Sequence, residues 1–199
     1  MRSKAYGWLV IAVLALAANI SAVAQNSVQD RFDRFGGAIN FRGQINAYSP
    51  QTAPTGTAGP YEIRGPWSLK LIRERGSDRI EFSAAVNMEL SDGWVLTTNR
   101  NSSAPFDPNA RNAHTHHITM TEGNVTTLPN GGFQICGTGT VTLNGGATPF
   151  AQQSPLTITI TGGTDVEFSN ITLVFGSPAS GHFGGEPLPG VVRSVREGR

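Results

Sequence analysis

The sequence is poor in cysteine and in charged residues. Cys136 is the only cysteine, so no disulfide can form within the chain and the fold depends on its hydrophobic core. The sequence favours a small, half-buried side chain at this position over a reactive thiol. Charged residues make up 15% of the chain, below the roughly 25% typical of globular proteins. With 24 glycines and polar character supplied by Thr, Ser, Asn and Gln, the composition favours strands and turns over helices.

A membrane-spanning apolar run is also lacking. The run Trp8–Ala18 is too short to cross a bilayer comfortably. It follows the basic residues Arg2 and Lys4 and precedes the small-residue stretch Ala22–Ala24. This order of charged start, short apolar run and small residues predicts a signal peptide over residues 1–24. We therefore expect a secreted protein, extracellular or periplasmic, with no stable membrane span after cleavage.

The sequence also lacks a cluster of basic residues. Cleavage after Ala24 removes Arg2 and Lys4 and changes the formal net charge from +1 to −1. A nearly neutral chain without clustered Lys or Arg has no electrostatic footprint for nucleic acid and no polybasic patch for a membrane surface. A glycan, a small molecule or another protein remain as candidate ligands.

Stretches with the pattern of β-strands make up most of the sequence. Apolar and polar residues alternate with period two from Ile80 to Leu90, and similar stretches recur between turn signals. We count about eight or nine strands, no amphipathic helix and no fixed repeat, which predicts an all-β fold: one antiparallel sandwich or barrel. Its bounds are predicted as 38–190, after a lead-in arm at 25–37 and before a flexible tail at 191–199. Strand pairing is needed to choose between the two architectures.

Common enzyme signatures are missing. The sequence has no Gly-x-Ser-x-Gly elbow and no phosphate-binding glycine loop ahead of a helix. Glu81 and Glu89 share a strand face with Arg79, which is typical of a solvated surface and not of a carboxylate pair across a cleft. Trp67 alternates with leucines, so we expect it in the core and not on a sugar-binding surface. Gly137 and Gly139 indicate a bulge or a close approach by another backbone.

The chemistry-bearing stretch is a histidine-rich strand. Alternation places His114 and His116 on one face and His117 on the other, where we expect it to be solvated. Two imidazoles two positions apart in a strand can converge on one metal ion. His182, in a Gly/Pro-rich stretch over 176–190, is the third candidate ligand.

Two function classes follow. The first is a secreted β-domain that binds a ligand without catalysis, with the histidines bonded to backbone and holding the 99–113 loop in place. The second is a small metal-binding protein or metal-dependent enzyme that uses His114, His116 and His182. The sequence leaves the cofactor undetermined, although imidazole-rich sites suit divalent transition metals such as zinc, copper, nickel or iron.

Overall fold

The computed structural model describes most of the residues after position 37. The described residues are 38–49, 61–74, 77–90, 114–129, 132–144, 146, 153–161 and 169–197. The predicted signal peptide, the lead-in arm and the 99–113 loop lie outside them. Among the described residues, no helix has the length and apolar character needed to cross a membrane.

This part of the chain forms nine strands and one short helix. The strands are β1 (Ala38–Ser49), β2 (Tyr61–Glu74), β3 (Ser77–Leu90), β4 (His114–Met120), β5 (Gly123–Thr127), β6 (Phe133–Leu143), β7 (Ser154–Thr161), β8 (Asn170–Phe175) and β9 (Leu188–Glu197). The helix α1 (Ala179–His182) lies between β8 and β9. The predicted all-β class and strand number are confirmed.

The strands close into an antiparallel barrel. The sheet order is β4-β3-β2-β1-β9-β8-β7-β6-β5, and an additional pairing of β4 with β6 completes the ring. Eight strands therefore form the barrel wall, and β5 is an extra strand beside β6. Because β4 and β6 pair with each other, the ring of strands is closed and the architecture is a barrel, not a sandwich.

The extra strand continues the line of β4. β4 pairs with the end of β6 through Thr119 and Thr140, whereas β5 pairs with its beginning through Gly123 and Gly137. Between these two pairings the register moves by one residue, which bends the chain where β4 passes into β5. A Cβ on Gly137 would clash with the carbonyl oxygen of Glu122. The close backbone approach expected at this glycine is confirmed.

Side chains fill the barrel interior. Successive residues of each strand point alternately into the barrel and out of it, as the period-two pattern predicts. Trp67 is buried, and the predicted core face of β3 is confirmed from Ile80 to Met88. The largest fully buried side chains of the strands come from β1, β2, β3, β4 and β6: Ile45, Tyr61, Ile63, Leu69, Leu71, Ile80, Met88, Ile118, Met120, Phe133 and Ile135.

The predicted flexible tail is wrong for residues 191–197, which belong to β9. β9 lies between β1 and β8 in the barrel wall, and its pairing with β1 has a register shift at Arg42 and Gly43. Gly43 pairs with Val192 and Arg42 with Ser194, so Arg193 is an extra residue in β9. Val192 is buried and Val195 packs against the core, although they are three positions apart. This bulge interrupts the period-two pattern, and the strand therefore escapes detection in the sequence.

Cys136 also differs from expectation. It lies on the outer side of β6 and is exposed, not half-buried. Its neighbour Ile135 faces the interior, so alternation directs the thiol outward. Its Sγ contacts the polar side chains of Gln134 and Thr157.

Candidate metal centre

The histidine cluster lies at one end of the barrel. In an antiparallel barrel, alternate connections meet at the same end, and His114 begins β4 at the end that receives the β1–β2, β3–β4, β6–β7 and β8–β9 connections. These are the long connections, for example residues 50–60 and 91–113. At the other end, β2 and β3 are joined by only two residues. The cluster is therefore at the end where long loops can shape a site.

His116 is the most constrained of the three. It points into the barrel from β4, beside Val86 of β3 and Leu143 of β6, and is fully buried. Its Nδ1 lies 3.1 Å from the carbonyl oxygen of Thr142. A carbonyl can only accept, so Nδ1–H donates this hydrogen bond and the neutral ring keeps a lone pair on Nε2. The bond fixes both the tautomer and the orientation of the ring.

The other two histidines of β4, His114 and His117, lie on the faces that the sequence predicts. His114 shares the inward face with His116, and their rings meet edge to face at 4.7 Å between centroids. His117 is exposed on the outer face, where Ala85 and Thr142 are its neighbours in β3 and β6. Its predicted solvated position is confirmed.

The third histidine, His182, is the last residue of helix α1. The amide N–H of Ala179 donates to the buried hydroxyl of Ser154 in β7 at 3.2 Å, which ties the start of the helix to the barrel. Immediately after the helix, Phe183 is buried and stacks on Phe175 of β8 at 4.7 Å between centroids. With both ends held, His182 projects toward β4.

The three rings converge through their Nε2 atoms. Nε2 of His182 lies 2.8 Å from Nε2 of His116 and 3.4 Å from Nε2 of His114. One ring nitrogen from each histidine lies within 4.8 Å of the others, in an arrangement able to hold a metal ion. Because Nε2 of His116 carries a lone pair, the 2.8 Å contact is a hydrogen bond donated by Nε2–H of His182.

Burial disfavours the protonated form of the His116 and His182 rings. Burial is the main cause that lowers the pKa of His116 from 6.5 to about 4, followed by repulsion from His182 and His114, while the Thr142 carbonyl acts in the opposite direction. The pKa of His182 is also lowered, first by burial and then by His114. Neutral imidazole is the form that binds metals, so the environment favours the coordinating state at neutral pH.

Phe183 forms an apolar wall beside the cluster. Its ring meets those of His116 and His182 edge to face, with centroids 5.3 and 5.4 Å away. His114 and His182 are half-buried, so solvent reaches the cluster on their side. The centre therefore has a dry side and an open side.

The structure brings together all three predicted ligands. The carboxylate of Glu122, between β4 and β5, is exposed and does not belong to the group. Sequence reasoning missed the supporting residues Thr142, Ser154 and Phe183. Only Phe183 offered a signal, as an aromatic residue directly after His182 in an otherwise Gly/Pro-rich stretch.

A closed antiparallel β-barrel with a three-histidine cluster at one end is the class of protein that the fold and the site define. In comparisons with known proteins, no family model, no curated protein and no solved structure matches this chain. A barrel alone does not specify a function, so the functional argument rests on the site.

Proposed function

We propose that this protein binds a divalent transition metal through Nε2 of His114, His116 and His182. The observation that carries the proposal is the convergence of three imidazole nitrogens from a strand and a helix 66 residues apart in sequence. His–x–His spacing on its own is common enough to arise without function. A third ring aimed at the same point from a separately anchored element is much harder to explain by chance packing.

Two of the three nitrogen–nitrogen distances are close to those found around a small ion. Two nitrogens bound to zinc at tetrahedral angles, each about 2.0–2.1 Å from the metal, lie roughly 3.3 Å apart. The 3.4 Å between His114 and His182 already fits, and the 2.8 Å between His116 and His182 requires a small separation. The ion would take the place of the Nε2 proton of His182, and that ring would then carry its proton on Nδ1, so both rings coordinate as neutral imidazoles.

The environment of His116 supports the same conclusion. Histidine ligands usually donate their second ring N–H to a carbonyl or carboxylate, which holds the ring in the coordinating tautomer. The hydrogen bond from Nδ1 of His116 to Thr142 supplies this interaction.

Three protein ligands leave one tetrahedral position for water or a substrate. This is the pattern of catalytic zinc sites, whereas structural sites are closed by four protein ligands. We therefore favour a metal-dependent enzyme or a metal-binding protein with an open coordination position. The export predicted from residues 1–24 stays a prediction, and it places the metal outside the cytoplasm.

Single alanine substitutions test the proposal. Purified protein stripped with chelator is titrated with zinc, and bound metal and thermal stability are measured for His114→Ala, His116→Ala and His182→Ala. We expect one zinc per chain in the wild type, stabilisation by zinc that chelator reverses, and loss of both effects in each variant. His117→Ala is the matched control, because its imidazole lies on the same strand but faces solvent, and it should bind zinc like the wild type.

A purely structural role for the histidines gives a different result. The wild type would then bind no metal and show no response to chelator. The substitutions would only lower stability, by about 1–3 kcal/mol, because buried hydrogen-bond partners are left unpaired. That outcome would favour the first function class, a binding domain without a metal.

A further inference from the structure

We infer that the metal at this centre takes a small anion, such as a carboxylate, as its exogenous fourth ligand. The inference rests on the proposed function and specifies the chemistry of what binds at the open position. It follows from the charge of the donor set, the shape of the site and the groups at its rim.

The donor set is electrically neutral. Among the described residues, the metal-holding group consists of three imidazoles, with no carboxylate and no thiolate. An ion bound by neutral nitrogens keeps its full double positive charge. A carboxylate or thiolate ligand would cancel part of that charge and weaken the attraction for a further anion.

The inner side of the site strengthens this charge. His116 is fully buried, Phe183 stands against two of the three rings, and Phe175 stacks behind Phe183. Water cannot solvate the ion from that side. A charge that is desolvated on one side and unpaired gains more from an incoming anion than a fully hydrated ion does.

On the open side, the described groups beside His114 carry no charge. His114 and His182 are half-buried there. Next to His114, the amide N–H of Thr115 donates to Oδ1 of Asn144, and the Thr115 hydroxyl donates to Oδ1 of Asn87. These rim groups are uncharged and already paired with one another, so they add no negative charge that would repel an anion.

The exchange itself is simple. A water molecule leaves the fourth position and a lone pair of the anion forms the new bond to the metal. No proton or electron is transferred, and no bond within the protein breaks. Charge is what distinguishes the preferred ligand from a neutral molecule of the same size and shape.

Cobalt-loaded protein provides the test, because Co²⁺ accepts the same nitrogen ligands and its visible spectrum reports a change of coordination. The wild type and His117→Ala are titrated with acetate, with azide and with acetamide, the neutral isostere of acetate. Ionic strength is held constant with perchlorate so that screening does not change during the titration. We expect saturable spectral changes with acetate and azide, at concentrations at least about tenfold lower than any change with acetamide.

The outcomes separate the two proposals. Protein that binds cobalt but shows no spectral response to either anion overturns the inference and leaves the metal site standing. Equal affinities for acetate and acetamide overturn it as well, since charge would then not select the ligand. Protein that binds no cobalt overturns the metal site and the inference together.

Discussion

At the scale of single residues, His116 connects the fold to the proposed chemistry. Strand alternation alone predicts that His114 and His116 share a face and that His117 does not, and the structure has this arrangement. The backbone partner of His116 could not be predicted, because Thr142 lies on another strand and reaches the ring only through the pairing of β4 with β6. A sequence shows which side chains share a face, but not which carbonyl they meet.

The lowered pKa of His116 makes stability depend on pH. In the unfolded chain this ring takes up a proton near pH 6.5, whereas in the folded protein it does so only near pH 4. Between these values the unfolded state binds more protons, so stability is complete above about pH 6.5 and is lost progressively as the pH falls toward 4. For this one ring the loss reaches up to about 3 kcal/mol.

Denaturant unfolding in the presence of chelator, at several pH values from 7.5 to 4.5, measures this loss. The wild type and His117→Gln should lose stability in parallel on acidification. His116→Gln should start less stable but show a shallower dependence on pH. A pH dependence in His116→Gln as steep as in the wild type would contradict the buried, neutral state of this ring.

At the scale of elements, helix α1 places the third histidine, His182, beside His114 and His116. The Gly/Pro-rich composition of 176–190 predicts a loop, and nothing in its periodicity reveals four helical residues. The helix is held by contacts distant in sequence, since Ser154 binds its first amide and Phe175 stacks on Phe183. Periodicity therefore could not predict that His182 lies close to His116. The glycine-rich stretch only indicated where a third ligand could fold inward.

Ser154 should accordingly matter for the metal site without touching it. Ser154→Ala leaves the buried amide of Ala179 without its acceptor, and we expect a loss of about 1–3 kcal/mol in unfolding free energy. We also expect weaker zinc binding, because His182 is less firmly positioned. The control is Ser83→Ala, an exposed serine on β3, which should change stability by less than about 0.5 kcal/mol. Unchanged zinc affinity in a destabilised Ser154→Ala protein would show that α1 is not positioned through this bond.

At the scale of the whole molecule, barrel closure brings the cluster together. Composition and alternation predict the all-β class and the strand number, since most outward-facing strand residues are polar and most inward-facing ones are apolar. They do not predict closure, which needs the pairing of β4 with β6, and they miss β9, which lies between β1 and β8. Its bulge at Arg193 puts Val192 and Val195 on the same side and gives the segment the appearance of a charged tail.

Truncation distinguishes a closing strand from a tail. A chain ending at Gly190 lacks most of β9, leaves most of β1 paired with β2 alone and exposes the core beside Phe41, so it should not fold stably. A chain ending at Glu197 lacks only two residues and is the matched control. Circular dichroism and thermal melting report the difference. A cooperative melt near the full-length temperature after truncation at Gly190 would mean that β9 is not needed for closure.

The central claim, that three histidines hold one metal ion, is tested most directly by anomalous diffraction. Crystals of the zinc-loaded protein are measured on both sides of the zinc absorption edge. We expect a single strong anomalous peak at the barrel end, about 2.0–2.1 Å from Nε2 of His114, His116 and His182. A zinc-loaded crystal with no peak between these rings, or with zinc held by only one of them, would contradict the account.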